Sequence, residues 1–297
     1  MEVIGKISQD KVIYYKPTQI YLSAWISHIP FMQWYMRNIC PKLFVELGVH
    51  YGTSFLSACE IVKSYKIQSK CVAVDTWKGD SHSGFYDEEV FSKFMQEFVK
   101  YVEFAEFKRE TFEDALHEFE DSSIDLLHID GFHTYQAVKK DFYDYLPKMS
   151  KSGVIIMHDI NVHTKGFGVH LFWQELKEKF STFEFFHGHG LGIVVIGNDV
   201  NNNVIELVNS SEREKDSIRN LFKYLGSALE YEYYAEQEKE SLKNDIAGID
   251  ILRVNLLQEN NSLKEKYDQV EHKLNSLEQS NSWRVTKPLR KFKSIFR

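Results

Sequence analysis

Acidic and imidazole side chains recur where apolar runs of this 297-residue chain end. Glu46 falls near the end of "LFVELG" (43–48), Asp75 closes "KCVAVD" (70–75), Asp130 closes "IDLLHID" (124–130), and His158 and Asp159 close "GVIIMHD" (153–159). A single acid after a strand is commonly no more than a helix cap or turn former. Acids ending several strands of one sheet would converge on its carboxyl rim, where open α/β sheets bind ligands. His133 follows Asp130 by three residues in "HIDGFHTYQAV", and an imidazole held by a carboxylate is a candidate general base. Asp130, His158 and Asp159 are also a candidate ligand set for a divalent ion. A nitrogen donor there would turn the preference from magnesium toward manganese, iron or zinc. Seven of the twelve histidines (His50, His82, His133, His158, His163, His187 and His189) fall at or just after expected strand ends. His128 lies inside its strand and reads as a packed residue.

The elements that must position these groups alternate in type. Besides the runs already named, "AEFKRE" (105–110), "TFEFFH" (182–187) and "LGIVVIG" (191–197) read as strands. Helical patterns cover 51–66, 87–103, 112–119, 134–146 and 168–180. Nearly all-apolar strands between helices imply a doubly wound α/β sandwich with both sheet faces covered. The link "GHG" is too short for a crossover, so the last two strands form an antiparallel hairpin. The expected fold is therefore a seven-stranded, Rossmann-like sheet, six strands parallel and one antiparallel. That is the arrangement of class I S-adenosylmethionine (SAM) methyltransferases. Its domain is expected over 43–200, behind an N-terminal helical cap at 1–42. In that cap Trp25, His28, Phe31 and Trp34 make an aromatic stripe suited to core packing or to covering a cofactor.

Gly48 and Gly52 let the chain turn after the first strand without a Cβ in a ligand's way. Asp75, 23 residues beyond Gly52, can grip ribose hydroxyls. Nicotinamide dinucleotides use a related plan, but their G-x-G-x-x-G is replaced here by E-x-G-x-x-x-G. SAM has no pyrophosphate to cradle, and Glu46 could attract its α-amino group directly or through water.

Together "VELGVHYGTSF", "AVDTWKGDSHSGFYDEEVF", "IDLLHIDGFHTYQAVKKDFYDYLPKMSKSGVIIMHDI", "GFGVHLFWQELK" and "HGHGLGIVVIG" resemble one bacterial family of class I SAM-dependent methyltransferases over about residues 20–197. Members are often linked to glycosyltransferases in surface-polysaccharide synthesis. The resemblance implies that Glu46, Gly48 and Gly52 form the first SAM motif, that Asp75 binds the ribose, and that Trp77 packs against the nucleoside. Metal-dependent sugar O-methyltransferases have a similar Asp-x-x-His, in which the acid holds an ion and the histidine takes the proton. This assigns catalysis to His133 with Asp130 and Asp159, and a divalent metal to Asp130, His158 and Asp159. The implied activity is O-methylation of a sugar hydroxyl on a bacterial surface glycan or its nucleotide-sugar precursor, with a glycosyltransferase as partner. Two alternatives stay open: a metal-dependent hydroxylase of the cephalosporin hydroxylase-like type, and a non-catalytic scaffold that retains the SAM fold.

The net charge of −7 is unevenly spread. Residues 283–297 hold six cations and no acid, so the rest is more acidic still, which argues against nucleic acid as a partner. Cys40, Cys59 and Cys71 lack ligand-like spacing and read as reduced thiols. With no apolar leader in "MEVIGKISQD" and no membrane-spanning run, a cytoplasmic location is expected. A helical linker is expected over 201–241. From 242 to 282 apolar residues follow 4–3 spacing with an Asn in the seam, which reads as a parallel coiled coil joining a homodimer. The tail 283–297 reads as a basic amphipathic segment for an anionic membrane surface at the inner face of the cell membrane.

Overall fold

The computed structural model describes residues 2–80, 84–286 and 288–290. His82 and most of the basic stretch from Lys287 on therefore lie outside the described residues. The apolar runs become strands β1 Leu43–Leu47, β2 Lys70–Val74, β3 Ala105–Lys108, β4 Ile124–Ile129, β5 Met149–His158, β6 Thr182–Phe185 and β7 Leu191–Val195. They hydrogen-bond in the order β3-β2-β1-β4-β5-β7-β6. β1, β2, β3, β4 and β5 are mutually parallel. β7 is antiparallel to both β5 and β6, so it alone runs against the other six. A separate two-residue ladder pairs Gly79–Asp80 with Gly84–Phe85.

The all-apolar character of these strands has a plain cause. Successive side chains point to opposite faces, and each face carries its own core. Phe44, Leu126 and Ile156 pack in one cluster, while their neighbours Val45, Leu127 and Ile155 pack in the other. The first cluster is covered by helices α1 Ile29–Ile39, α2 Thr53–Ser64 and α3 Glu88–Phe98. The second is covered by α4 Phe112–Leu116, α5 Tyr135–Tyr145 and α6 Val169–Lys179. The side chains of Asp87, Thr111 and Thr134 cap α3, α4 and α5 by accepting backbone N–H bonds.

The N-terminal stripe is split rather than continuous: a 3₁₀ turn, Ala24–His28, runs into α1, with Pro30 at the helix start. All four stripe residues are buried. Residues expected as a linker are partly body. α7 Asn202–Asn209 and the first turns of α8 Glu212–Gln279 bury Val204, Ile218 and Phe222 in the first core. Gly226 is required there, since a Cβ would lie 2.1 Å from the Ser27 carbonyl oxygen.

The chain divides into two units, Met1–Tyr233 and Tyr234–Arg297. Among its described residues the second unit holds the remainder of α8 and the short helix α9 Asn281–Val285. Its seam side chains are open to solvent, with Ile249 and Leu256 at 64% and 65% exposure.

Strand register sets up the carboxyl rim. Leu47 pairs with Val74 and with Ile129, and Ile129 pairs with Met157. The next residues along, Gly48, Asp75, Asp130 and His158, therefore form one row across four strands. β1 and β4 approach closely there, for a Cβ on Gly48 (φ +87°) would lie 2.0 Å from the Asp130 carbonyl oxygen. Gly48→Ala should destabilise the protein by at least about 2 kcal/mol, read from the urea midpoint of the body followed by tryptophan fluorescence.

Candidate active site

The β1 turn is held by Asp75. Its Oδ2 accepts the backbone N–H groups of Val49 and His50 at 2.8 and 2.9 Å, and its Oδ1 accepts that of Trp77 at 2.7 Å. One carboxylate thus welds the loops after β1 and β2 while still facing the cavity they border. Trp77 is elsewhere than expected. It is buried among Phe91 and Phe94, and its indole donates to the His50 carbonyl at 2.8 Å. Its role is to brace the loop from below, and no face of it lines the cavity. Gly52 also lies off the cavity wall. It begins α2 with φ +86°, and a Cβ there would press on Leu56 and Phe94 at 2.9 Å.

Glu46 is fully buried and lies behind the wall. It is the direct cross-strand neighbour of His128, so the two side chains share a sheet face. Glu46 accepts from Ser54 at 2.6 Å, and its other oxygen lies 3.0 Å from His128 Nδ1. The Trp25 indole donates to His128 Nε2 at 3.2 Å, which leaves the imidazole proton on Nδ1, facing the acid. Burial raises the Glu46 pKa, against the opposing pull of His128 and Ser54. The sequence reading had Glu46 attract an amino group directly or through water; its full burial removes the direct route, and it lies instead between Ser54, which donates to it, and His128, which accepts from Trp25.

The predicted reaction residues do meet. His133 Nε2 is 2.8 Å from Asp159 Oδ2 and 3.6 Å from Asp130 Oδ1. Its ring stacks on Phe167 with centroids 4.9 Å apart. Burial opposes charge on His133, but Asp130 and Asp159 outweigh it and hold its pKa at about 10. Burial likewise opposes charge on Asp130, and His158 and His133 overcome it to keep the carboxyl well below the usual range. His158 donates Nε2–H to the Gly188 carbonyl at 2.9 Å, and its Nδ1 lies 3.3 Å from Asp130. Acceptors lie on both sides of the ring, and its pKa is raised despite burial, chiefly by Asp130. His189 Nδ1 contacts Asp159 from the hairpin at 3.1 Å.

Among the described residues, the donor atoms that lie within 4.8 Å of one another, as a single ion requires, belong to Asp130, His133 and Asp159. The expected set had His158 in place of His133. His158 instead balances the charge of Asp130, with its far nitrogen tied to Gly188. Two carboxylates and one imidazole fit a divalent cation by their chemistry.

These groups border a cavity of about 380 Å³, within the roughly 300–1,000 Å³ of small-molecule sites. Gly48, Val49, His50 and Asp75 form one part of its wall, and Asp130, His133, His158, Asp159 and His189 another. The sequence reading missed Tyr51 and Tyr86, which flank His50 at ring distances of 4.3 and 4.7 Å. Tyr51 was within reach, since it sits inside the quoted first turn; nothing in the spacing singles out Tyr86. His50, Trp77, Asp159 and His189 all adopt φ between 51° and 67°, a conformation that costs a non-glycine residue about 1–3 kcal/mol and tends to cluster at functional sites.

Residues 45–160 match the model of a family described as a methyltransferase domain. The match supports a methyltransferase reading of the segment that carries β1 to the end of β5. An uncharacterized protein of Sinorhizobium fredii, y4gI, is 43% identical over 178 residues, or 60% of this chain. The chain spans 20% of that relative's length. Among solved structures, the Streptomyces achromogenes O-methyltransferase TomG in complex with SAM aligns with a TM-score of 0.45 at 11% identity, covering 66% of this chain and 90% of that one. The SAH-bound Podospora anserina methyltransferase PaMTH1 aligns at 0.45 and 16% identity, covering 57% of this chain and 77% of that one.

The His133 environment has a consequence for stability. A folded-state pKa of about 10, above the roughly 6.5 of an unfolded imidazole, stabilises the fold fully below pH about 6.5. That contribution is lost as pH rises through about 10. In metal-free protein the stability difference between wild type and His133→Gln should be widest near pH 6 and shrink by pH 10. Urea denaturation at the two pH values measures it.

Proposed function

We propose that this chain is a SAM-dependent O-methyltransferase whose acceptor is a sugar hydroxyl of a bacterial surface glycan or its precursor. The observation that carries the reading is one cavity bordered both by the Gly48–Asp75 turn and by the Asp130–His133–Asp159 cluster. The methyltransferase-domain match over 45–160 supports the choice of SAM over a dinucleotide. The sugar, the surface-glycan role and a glycosyltransferase partner rest on the family resemblance of the sequence. Association of the tail 283–297 with an anionic membrane rests on its charge pattern. No helix among the described residues is long and apolar enough to cross a membrane.

SAM supplies a methyl group already activated by its sulfonium. What remains for the protein is alignment, worth up to about 7–11 kcal/mol in favourable cases, and removal of the hydroxyl proton. Gly48 keeps the turn open, and Asp75 presents to ribose hydroxyls an Oδ1 that accepts only one backbone N–H. Ser54 and Glu46 hold the turn from behind. His133 is the base. Asp159 and Asp130 orient it and stabilise the imidazolium that forms on taking the proton. The same acids keep it protonated at neutral pH in the arrangement seen here, so catalysis through the neutral ring increases toward alkaline pH. Were a divalent ion held by Asp130, His133 and Asp159, it would supply positive charge to lower the hydroxyl pKa, and His133 would then be a ligand instead of the base. The hydroxylase alternative gains little from the geometry, since an oxygenase triad uses two imidazoles and one carboxylate, and this cluster has the reverse composition.

His133→Ala should lower methyl transfer by about 10²–10⁴-fold while SAM affinity by calorimetry stays within a few-fold. Turnover within a few-fold of wild type would remove the base assignment. Dialysis against a chelator, followed by assay with and without manganese, separates the two roles of the acids. Activity that survives chelation leaves Asp130 and Asp159 as orienting groups, and activity restored only by the ion makes them ligands.

A further inference from the structure

Among the described residues, the second unit presents an apolar seam open to solvent, and its charges specify what fits. In α8 one seam position is filled by Leu242, Ile249, Leu256, Leu263, Val270 and Leu277, each more than half exposed. The alternating position holds Ile246, Arg253, Asn260, Tyr267 and Leu274, with Asn281 continuing the spacing just past the end of α8. In heptad terms the first set is d and the second is a. Two shallow grooves run along this helix, one bordered by Ile249, Leu252, Arg253, Leu256, Leu257 and Asn260. The other repeats the pattern two heptads earlier, from Ala235 to Ile246. Both are bordered solely by a, d, e and g positions, the residues that form the holes for a partner helix's knobs.

We infer that the occupant is a second copy of this chain, parallel and in register. In that alignment each g residue faces the e residue five positions later on the partner. Glu238 then faces the partner's Lys243, Glu259 the partner's Lys264, Lys266 the partner's Glu271, and Lys273 the partner's Glu278. Each contact occurs twice by symmetry. Leu252 faces the partner's Leu257, extending the apolar belt; Asp245 against the partner's Asp250 is the one repulsive g–e pair, and at the a position Arg253 meets the partner's Arg253. Polar residues at a favour two strands, because that position in a dimer keeps access to water. Asn260 pairs with the partner's Asn260 only when the helices are parallel and unshifted. The inference stands apart from the proposed activity, since it uses only residues 235–281.

The test uses the full chain. Light scattering at micromolar concentration should report a dimer; a monomer or trimer overturns the inference. One variant reverses the g charges (Glu259→Lys, Lys266→Glu, Lys273→Glu) and a second reverses the e charges (Lys264→Glu, Glu271→Lys, Glu278→Lys). Each alone places six like-charge pairs across the interface and should weaken dimerisation at least about tenfold. Mixed together they restore every pair, and the mixed dimer should return to wild-type affinity. Unchanged affinity of either variant alone, or a mixture that fails to recover, overturns the register. Because a variant could simply lose its helix, circular dichroism accompanies each. Asn260→Cys in a Cys40→Ser background is the second readout: oxidation should link two copies, and failure to link also overturns the register.

Discussion

Carboxylates nearly removed from water need compensating charge, and that constraint organises the site. Asp159 is 7% exposed and Asp130 21%. At this depth a carboxylate left without a hydrogen-bond or charge partner is costly. Three imidazoles prevent that: His133 between the two acids, His158 from the strand end, and His189 from the hairpin. Each comes from a different segment, so the cluster forms only when β4, β5 and the β6–β7 turn are all in place. The left-handed backbone at Asp159 and His189 is the conformational cost of that convergence.

The hairpin turn reaches in two directions. The Gly188 carbonyl accepts from both His158 and His28, at 2.9 and 3.0 Å. A Cβ on Gly188 would meet Ser27 Oγ at 2.1 Å, so the turn sits tightly against the N-terminal 3₁₀ segment. That segment also supplies Trp25, whose indole fixes the His128 tautomer and thereby the partner of Glu46. Burial, with the nearby His158, pushes the His28 pKa well below its ordinary value, as befits a neutral ring used as a donor. The N-terminal residues are thus joined by hydrogen bonds to the groups behind the cavity wall.

Strand register and loop chemistry divide the remaining work. Register places Gly48, Asp75, Asp130 and His158 in a row, and the parallel direction of four neighbouring strands puts that row at one rim. Asp75 then holds the β1 and β2 loops in a fixed relation through three backbone bonds. Loops tied in this way are what alignment of two reactants demands.

By itself the sequence determined the order of strands and helices, the reversal of the final strand, and the meeting of Asp130, His133 and Asp159. Periodicity, short links and strand-end acids are local signals that depend only on near neighbours along the chain. The exchange of His158 for His133 in the candidate ion cluster was settled by tertiary structure, as were the burial of Glu46 and Trp77 behind the cavity and the joining of residues 202–229 to the body. Those outcomes turn on which side of a sheet or loop a side chain faces once distant segments pack. Glu46 stands near a strand end as Asp130 does, yet lies two residues short of the rim row at Gly48, where its cross-strand neighbour is the buried His128.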